Sequence, residues 1–462
     1  MIEQLKPYPE YKESGLPWLG RVPGHWEIRR IKTILRECDS RTTDGTGTLL
    51  SLTRLRGLVS RNDVTDKIHS AKTLIGYKRY APGQIVMNRM QAWSGMFGTG
   101  NMKGLVSPDY AVFEVIGGHN SKLLLERIKS PDMVEQFALA SKGIGSGFNR
   151  LYTDRFGPIP ISLPPLAEQT AIVRFLDHAT RRLDKMIRTK RKTIALLNEQ
   201  KQAIIHRAVT RGLNPDIPLR DSGIPWLGQI PAHWEIVRNL ALFEHRVAQG
   251  IPGLPILQVS LHSGITREDL DQFGRPKRLI ADHTKYKLIR SGDVAYNTMR
   301  MWQGAVGVSP IDGLVSPAYV VLKPRAHIEP QFYNFVFRTS IYKQQVNRYS
   351  TGIVSDRNRL YWESFKQIPN IVPPYEEQRN IIQFIKQETL SLTAAITSAE
   401  REITLLREYR TRLIADVVTG KLDVREVAAH LPDEATELEE PSDALEDGEL
   451  DETTDDLTEA AA

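Results

Sequence analysis

Two kinds of hydrophobic pattern alternate along this chain. The first is short and irregular. Apolar runs such as Gln84-Ile85-Val86-Met87 and Asp293-Val294-Ala295-Tyr296 lie between Gly and Pro punctuation and read as strands. Stretches with helical spacing, at 121–140 and 328–348, sit among them. The second kind is long and regular: residues 166–208 and 375–418 contain neither Pro nor Gly. Pro164-Pro165 and Pro373-Pro374 precede them, and Gly212 and Gly420 follow them, the expected start and stop of a helix. Each stretch predicts a helix of about 43 residues, roughly 64 Å long at 1.5 Å per residue.

Both helices carry an apolar seam at alternating spacings of three and four. In the second it runs Ile396, Ala399, Ile403, Leu406, Arg410, Leu413, Val417, and in the first Ile187, Lys190, Ile194, Leu197, Lys201, Ile204, Ala208. Such spacing argues for a coiled coil. The nearest partner for one seam is the other, because packing on an adjoining domain would not use forty residues of stripe. Lys201 and Arg410 interrupt the seam, which leaves room for helices of another protein.

The two patterns recur because the chain is written twice. SGLPWLGRVPGHWE at 14–27 returns as SGIPWLGQIPAHWE at 222–235, an offset of 208. Asn149-Arg150-Leu151-Tyr152 returns as Asn358-Arg359-Leu360-Tyr361, and Glu168-Gln169 as Glu377-Gln378, an offset of 209. The predicted architecture is α+β, with two homologous globular domains separated by two long antiparallel helices. The segments are 1–163 for the first domain, 164–213 for its helix, 214–372 for the second domain, 373–425 for its helix, and 426–462 for an acidic tail.

Charge sharpens this picture. The net charge is +6, yet residues 432–462 hold fourteen Asp or Glu and no Lys or Arg. The remainder carries 61 basic against 41 acidic residues, a balance suited to a polyanion. The tail has few large apolar residues and is expected to be disordered, serving solubility or competing for the basic surface. One cysteine, Cys38, excludes an internal disulfide and a thiolate metal cage. No apolar run is long enough to span a membrane and no signal sequence is visible, so a cytoplasmic protein is expected.

Catalytic motifs are missing. There is no GxxxxGK[ST] loop, and no His or Cys cluster has metal-ligand spacing. Val372-Pro373-Pro374-Tyr375 is similar to the motif of adenine methyltransferases, but Val372 cannot accept a hydrogen bond from a base. Phe97-Gly98-Thr99-Gly100 has the wrong spacing for an S-adenosylmethionine loop. His25-Trp26-Glu27 and His233-Trp234-Glu235 open each domain and read as packed anchors. No catalytic or metal site is expected.

The domains do carry polar and cationic loops. Candidate DNA contacts are Arg89, Gln91, Lys142, Ser146, Asn149 and Arg150 in the first copy, and Arg300, Gln303, Ser355, Arg357, Asn358 and Arg359 in the second. Arg reads guanine edges and Asn or Gln reads adenine, while Gly and Ser let backbone amides approach phosphate. The copies keep their frame here but differ at Arg89/Thr298, Gln91/Arg300 and Asn101/Pro310, as one scaffold would in reading two sequences.

With its doubled IPxxWE-type entry and its doubled PPxxEQ module leading into a long helix, residues 14–425 resemble the specificity subunit of type I restriction–modification enzymes. The resemblance implies a non-catalytic, phage-defence DNA-binding subunit whose two target-recognition domains each read half of a bipartite site. It implies that the helices act as a ruler, with Ile187, Ile194, Leu197, Lys201, Ile204, Ile396, Ile403, Leu406, Arg410 and Leu413 as the seam and docking region. It further implies two methyltransferase subunits and restriction or motor subunits as partners, which would hold S-adenosylmethionine, ATP and Mg²⁺. A self-contained methyltransferase or endonuclease, and a coiled-coil scaffold without a DNA role, are the competing readings. The acidic tail is not part of the family pattern.

Overall fold

A computed structural model describes residues 5–64, 73–143, 149–224, 227–261, 264–268, 283–352 and 358–432. The chain forms two compact units: 1–188 with 403–462, and 189–402. Each unit therefore combines one domain with part of each long helix.

The β-branched runs pair into the same sheet twice. In the first unit a four-stranded antiparallel sheet is ordered Leu35–Cys38, Tyr110–Val115, Ile85–Asn88, Phe97–Gly98. In the second the order is Phe243–His245, Tyr319–Pro324, Val294–Asn297, Val306–Val308. Two short helices cover one face of each sheet: Ser121–Ile128 and Pro131–Ala140, and Pro330–Arg338 and Ser340–Tyr349. Their starts follow from sequence. Asn120 accepts from the amides of Lys122 and Leu123, Thr339 accepts from that of Tyr342, and Pro131 and Pro330 occupy first turns.

Between helices and sheet lies an aromatic core. Phe97, Phe137 and Phe156 meet with ring centroids 5.2–5.6 Å apart. In the second unit Phe337 meets Phe243 and Phe365 at 5.8 and 5.6 Å. The tight spacing of Phe97-Gly98-Thr99-Gly100 is a packing device: a Cβ on Gly100 would sit 2.6 Å from the Leu58 carbonyl oxygen.

The long helices span Leu166–Arg211, 46 residues, and Tyr375–Val418, 44 residues. In the second unit Lys190 Nζ lies 2.7 Å from Glu402 and Lys201 Nζ 2.9 Å from Thr393 Oγ1, so the segments run antiparallel. In the first unit Arg410 Nη1 lies 2.8 Å from Asp184. Each cation on the seam thus finds a polar partner on the opposite helix. Ile187, Ile396, Ala399, Ile403, Leu413 and Val417 are buried, whereas Ile194, Leu197, Ile204 and Leu406 are half-buried.

The PPxxEQ module is the joint between domain and helix. Glu168 takes hydrogen bonds from Trp26 Nε1 at 2.9 Å and from the Tyr8 hydroxyl at 2.5 Å, and faces His25 Nε2 at 2.6 Å. Gln169 accepts from the Asn120 amide and donates to the Pro164 carbonyl, both at 2.9 Å. Glu377 repeats the contact with His233, at 2.8 Å, and Gln378 repeats the pair of backbone bonds. Each joint is closed by a glycine with φ near +75°. Gly420 abuts Pro23 and Trp26, and Gly212 abuts Trp234 and Glu377. A side chain there would be strained and would collide with its neighbours.

The acidic tail begins later than the sequence suggests. Residues 426–432 are ordered: a helix spans Arg425–Ala429, and Val424, Ala428 and Leu431 are buried against Phe175, Leu176 and Ala179. The apolar positions at spacings of four and three outweigh the acidic composition that follows. Most of the tail, 433–462, lies outside the described residues.

Candidate nucleic-acid interface

The candidate loops, sixty residues apart in sequence, are adjacent in space. In the first unit the Leu151 amide donates to the Arg89 carbonyl at 2.9 Å, and Lys142 pairs through its backbone with Arg150 at 3.0 and 2.8 Å. In the second the Leu360 amide donates to the Thr298 carbonyl at 2.9 Å, and Thr351 pairs with Arg359 at 3.0 Å. Each unit thus presents one surface from two loops. The first carries Arg89, Gln91, Lys142, Asn149 and Arg150. The second carries Arg300, Gln303, Asn358 and Arg359. Ser146, Ser355 and Arg357 lie outside the described residues.

A 3₁₀ turn and a left-handed glycine shape the first loop in both copies: Ala92–Ser94 before Gly95, and Met301–Gln303 before Gly304. Trp93 and Trp302 brace these turns by donating to the Met90 and Met299 carbonyls at 2.9 and 3.0 Å. Trp93 is more than a third exposed.

The candidates differ in freedom. Arg89 is half-buried and held by Glu37 at 2.7 Å. Asn358 donates to Asn347 at 2.8 Å. Lys142, Arg300 and Arg359 are exposed. Gln303 is half-buried, with its Oε1 unpartnered among the described residues.

Two positions that loop reading misses stand behind this surface. Lys78 is buried, 3.2 Å from Asp39 and 3.7 Å from Glu37. Its counterpart Lys287 is half-buried and donates to the Tyr319 carbonyl at 2.6 Å. Lys287, His245, Thr298, Arg359, Tyr361 and Trp362 line a cleft of about 420 Å³. Burial holds the Lys287 ammonium below the usual lysine range. Burial and then the nearby Lys287 charge hold His245 below the usual histidine range, against an opposing pull from Glu363. The signal was in the repeat: Lys is kept at 78 and 287, while Arg89 becomes Thr298.

Among the described residues no helix is long and apolar enough to cross a membrane, and no group of three His, Cys, Asp or Glu is set for a metal ion. The doubled frame and paired loops agree with what the chain is similar to. Residues 119–196 match the type I restriction modification DNA specificity domain. The MjaVIII type I restriction enzyme specificity subunit of Methanocaldococcus jannaschii is 22% identical over 90% of this chain and 97% of its own length. Over nearly its whole length the chain is similar to a type I restriction–modification specificity subunit. An MjaX specificity subunit of the same organism is 23% identical over 58% of this chain, and the match spans 60% of that relative's length. A solved chain from a study of complex assembly and conformational transition in a type I system superposes with a TM-score of 0.58. It is 17% identical, and the match covers 86% of this chain and 98% of that chain. That likeness bears on the fold.

Proposed function

We propose that this chain is the DNA-reading, non-catalytic subunit of a type I restriction–modification complex, with one domain for each half of a bipartite target. The observation that carries the reading is the duplicated surface. Both units join the same two loops by the same backbone bond, yet present Arg89 and Gln91 in one and Thr298 and Arg300 in the other. A scaffold kept constant under changing side chains is what reading two different half-sites requires, since phosphate contacts position while base contacts specify. The basic balance of residues outside the tail supplies attraction to the polyanion.

In this reading the cytoplasmic partners are two methyltransferase subunits docked on the long helices and restriction or motor subunits beyond them. Those subunits hold S-adenosylmethionine, ATP and Mg²⁺. The candidate side chains bind and orient DNA and move no proton.

The test is a domain exchange in the complete system. Residues 14–163 are replaced by the equivalent segment of a relative with a known target, and host DNA methylation is sequenced. One half of the methylated sequence should change and the other stay. A change in both halves, or in neither, would overturn the reading.

A further inference from the structure

The duplication supplies an internal control for each buried charge. Lys78 and Lys287 hold the same place: Lys78 lies opposite Val106, and Lys287 opposite Val315. In the first unit the lysine is answered from within by Asp39 at 3.2 Å and Glu37 at 3.7 Å, and Glu37 also holds Arg89 at 2.7 Å. The lysine's charge is answered by this network.

In the second unit the lysine stays and its partners go. Phe113 faces Glu37 across the sheet, and Leu322 faces His245, so His245 stands where Glu37 stood. By the same register Val247 replaces Asp39, and Thr298 replaces Arg89. Among the described residues Lys287 pairs with no carboxylate. Glu363 lines the cleft but is paired with Lys366. His245 Nε2 is buried and unpartnered among those residues. Trp362, stacked on His245 with ring centroids 5.3 Å apart, forms an aromatic wall, and Arg359 stands exposed at the rim.

Among the described residues this cleft gives the half-buried ammonium one backbone carbonyl, that of Tyr319, and no counter-charge, so two of its three donors are open to a ligand. Phosphate is a poor candidate, because the same backbone passes both units and would call for the same open charge in each. What differs between half-sites is the bases. Guanine presents two acceptors, O6 and N7, to the major groove, and lysine and arginine are their usual donors. We propose that Lys287, at the floor of this cleft, reads a guanine in the half-site of the second unit, and that Glu37 and Asp39 abolish that reading in the first. The assignment deepens the DNA-reading function proposed above and rests on it.

The experiment uses the full chain with its methyltransferase partner and duplexes carrying the target found by methylation sequencing. Each guanine of the second unit's half-site is replaced in turn by 7-deazaguanine, which lacks the N7 acceptor. Wild type should lose about tenfold in affinity at one position. Lys287→Met should bind the intact target about tenfold more weakly and lose nothing further at that position. His245→Glu, which restores an internal carboxylate beside Lys287, should do the same while keeping the wild-type thermal midpoint. It serves as the folded control if Lys287→Met is unstable.

Discrimination unchanged in both variants overturns the assignment, as does a half-site without guanine. A uniform loss on target and unrelated DNA, with a shallower salt dependence, makes Lys287 a phosphate contact and also overturns it. Failure of wild type to prefer its target over unrelated DNA defeats instead the DNA-reading function on which the assignment rests.

Discussion

The Glu168 carboxylate accepts a hydrogen bond from the Trp26 indole at 2.9 Å, joining residues 142 apart. Glu168 is buried, and the Tyr8 hydroxyl and His25 ring complete its shell. Burial and the bond to Glu168 raise the Tyr8 pKa far above the phenol range, so Tyr8 stays a donor. Glu377 has the His233 ring as partner, while the Trp234 indole nitrogen is unpartnered among the described residues. Removing Glu168 strands three polar groups, and removing Glu377 strands one half-exposed ring. Glu168→Ala should therefore cost about 3 kcal/mol of stability and Glu377→Ala about 1 kcal/mol. Urea unfolding of the full chain measures both, and equal losses would contradict the argument.

Acidification should destabilise the fold. His119, His206 and His245 are held below the usual histidine range, in each case first by burial and next by a cation: Arg29, Arg211 and Lys287. The unfolded chain takes up protons near pH 6.5, and the folded chain resists them. Stability from these groups is present above that pH and is lost as pH falls through 6.5 toward the folded-state values. The urea midpoint should be lower at about pH 5.5 than at about pH 7.5. His245→Gln should show a smaller drop. A midpoint that rises on acidification would refute the assignment.

Two truncations separate the ordered and acidic parts of the C-terminus. Ending the chain after residue 432 removes fourteen carboxylates and no described contact. Stability should hold, and non-specific duplex binding should tighten several-fold at about 50 mM salt, fading by about 200 mM. Ending it after residue 423 also removes Val424, Ala428 and Leu431, which cover Phe175 and Leu176, and Arg425, whose guanidinium lies 5.1 Å above the Tyr8 ring. That loss should cost about 3 kcal/mol or more. Calorimetry and a salt-titrated gel shift read the two effects. Identical behaviour of the two truncations would count against the packed role of 424–431.

The long helices were legible because Pro and Gly are absent over forty residues, and the joints because Glu168-Gln169 recurs as Glu377-Gln378. Local composition misled at 426–432, where Ala428 and Leu431, at helical spacing from Val424, decide the structure against the acid that follows. The Arg89–Glu37 bond was not legible, because it closes a sheet register between residues far apart in sequence. Lys287 was overlooked for a related reason. A lysine carries no sign of what faces it until strand pairing places His245, rather than a carboxylate, at its side.

The seam residues Ile187, Ile396, Ile403 and Leu413 are buried, so the docking proposed for the methyltransferase subunits calls for other faces of the helices. Leu196 and Leu405 occupy equivalent positions of the repeat and are 66% and 54% exposed. Large apolar side chains displayed at the same helical position in both copies suit two copies of one partner, which is the stoichiometry proposed for the methyltransferase. Leu196→Asp and Leu405→Asp place a charge where no described core contact is lost, so both variants should unfold like wild type. Each should remove one methyltransferase subunit from the purified complex, and the double variant both. A desolvated carboxylate and a lost leucine contact together should weaken each interface by about 3 kcal/mol, or roughly a hundredfold in affinity. Mass measurement of the co-expressed complex reads the count directly. Full retention of both subunits by the double variant would place the docking surface elsewhere on the helices.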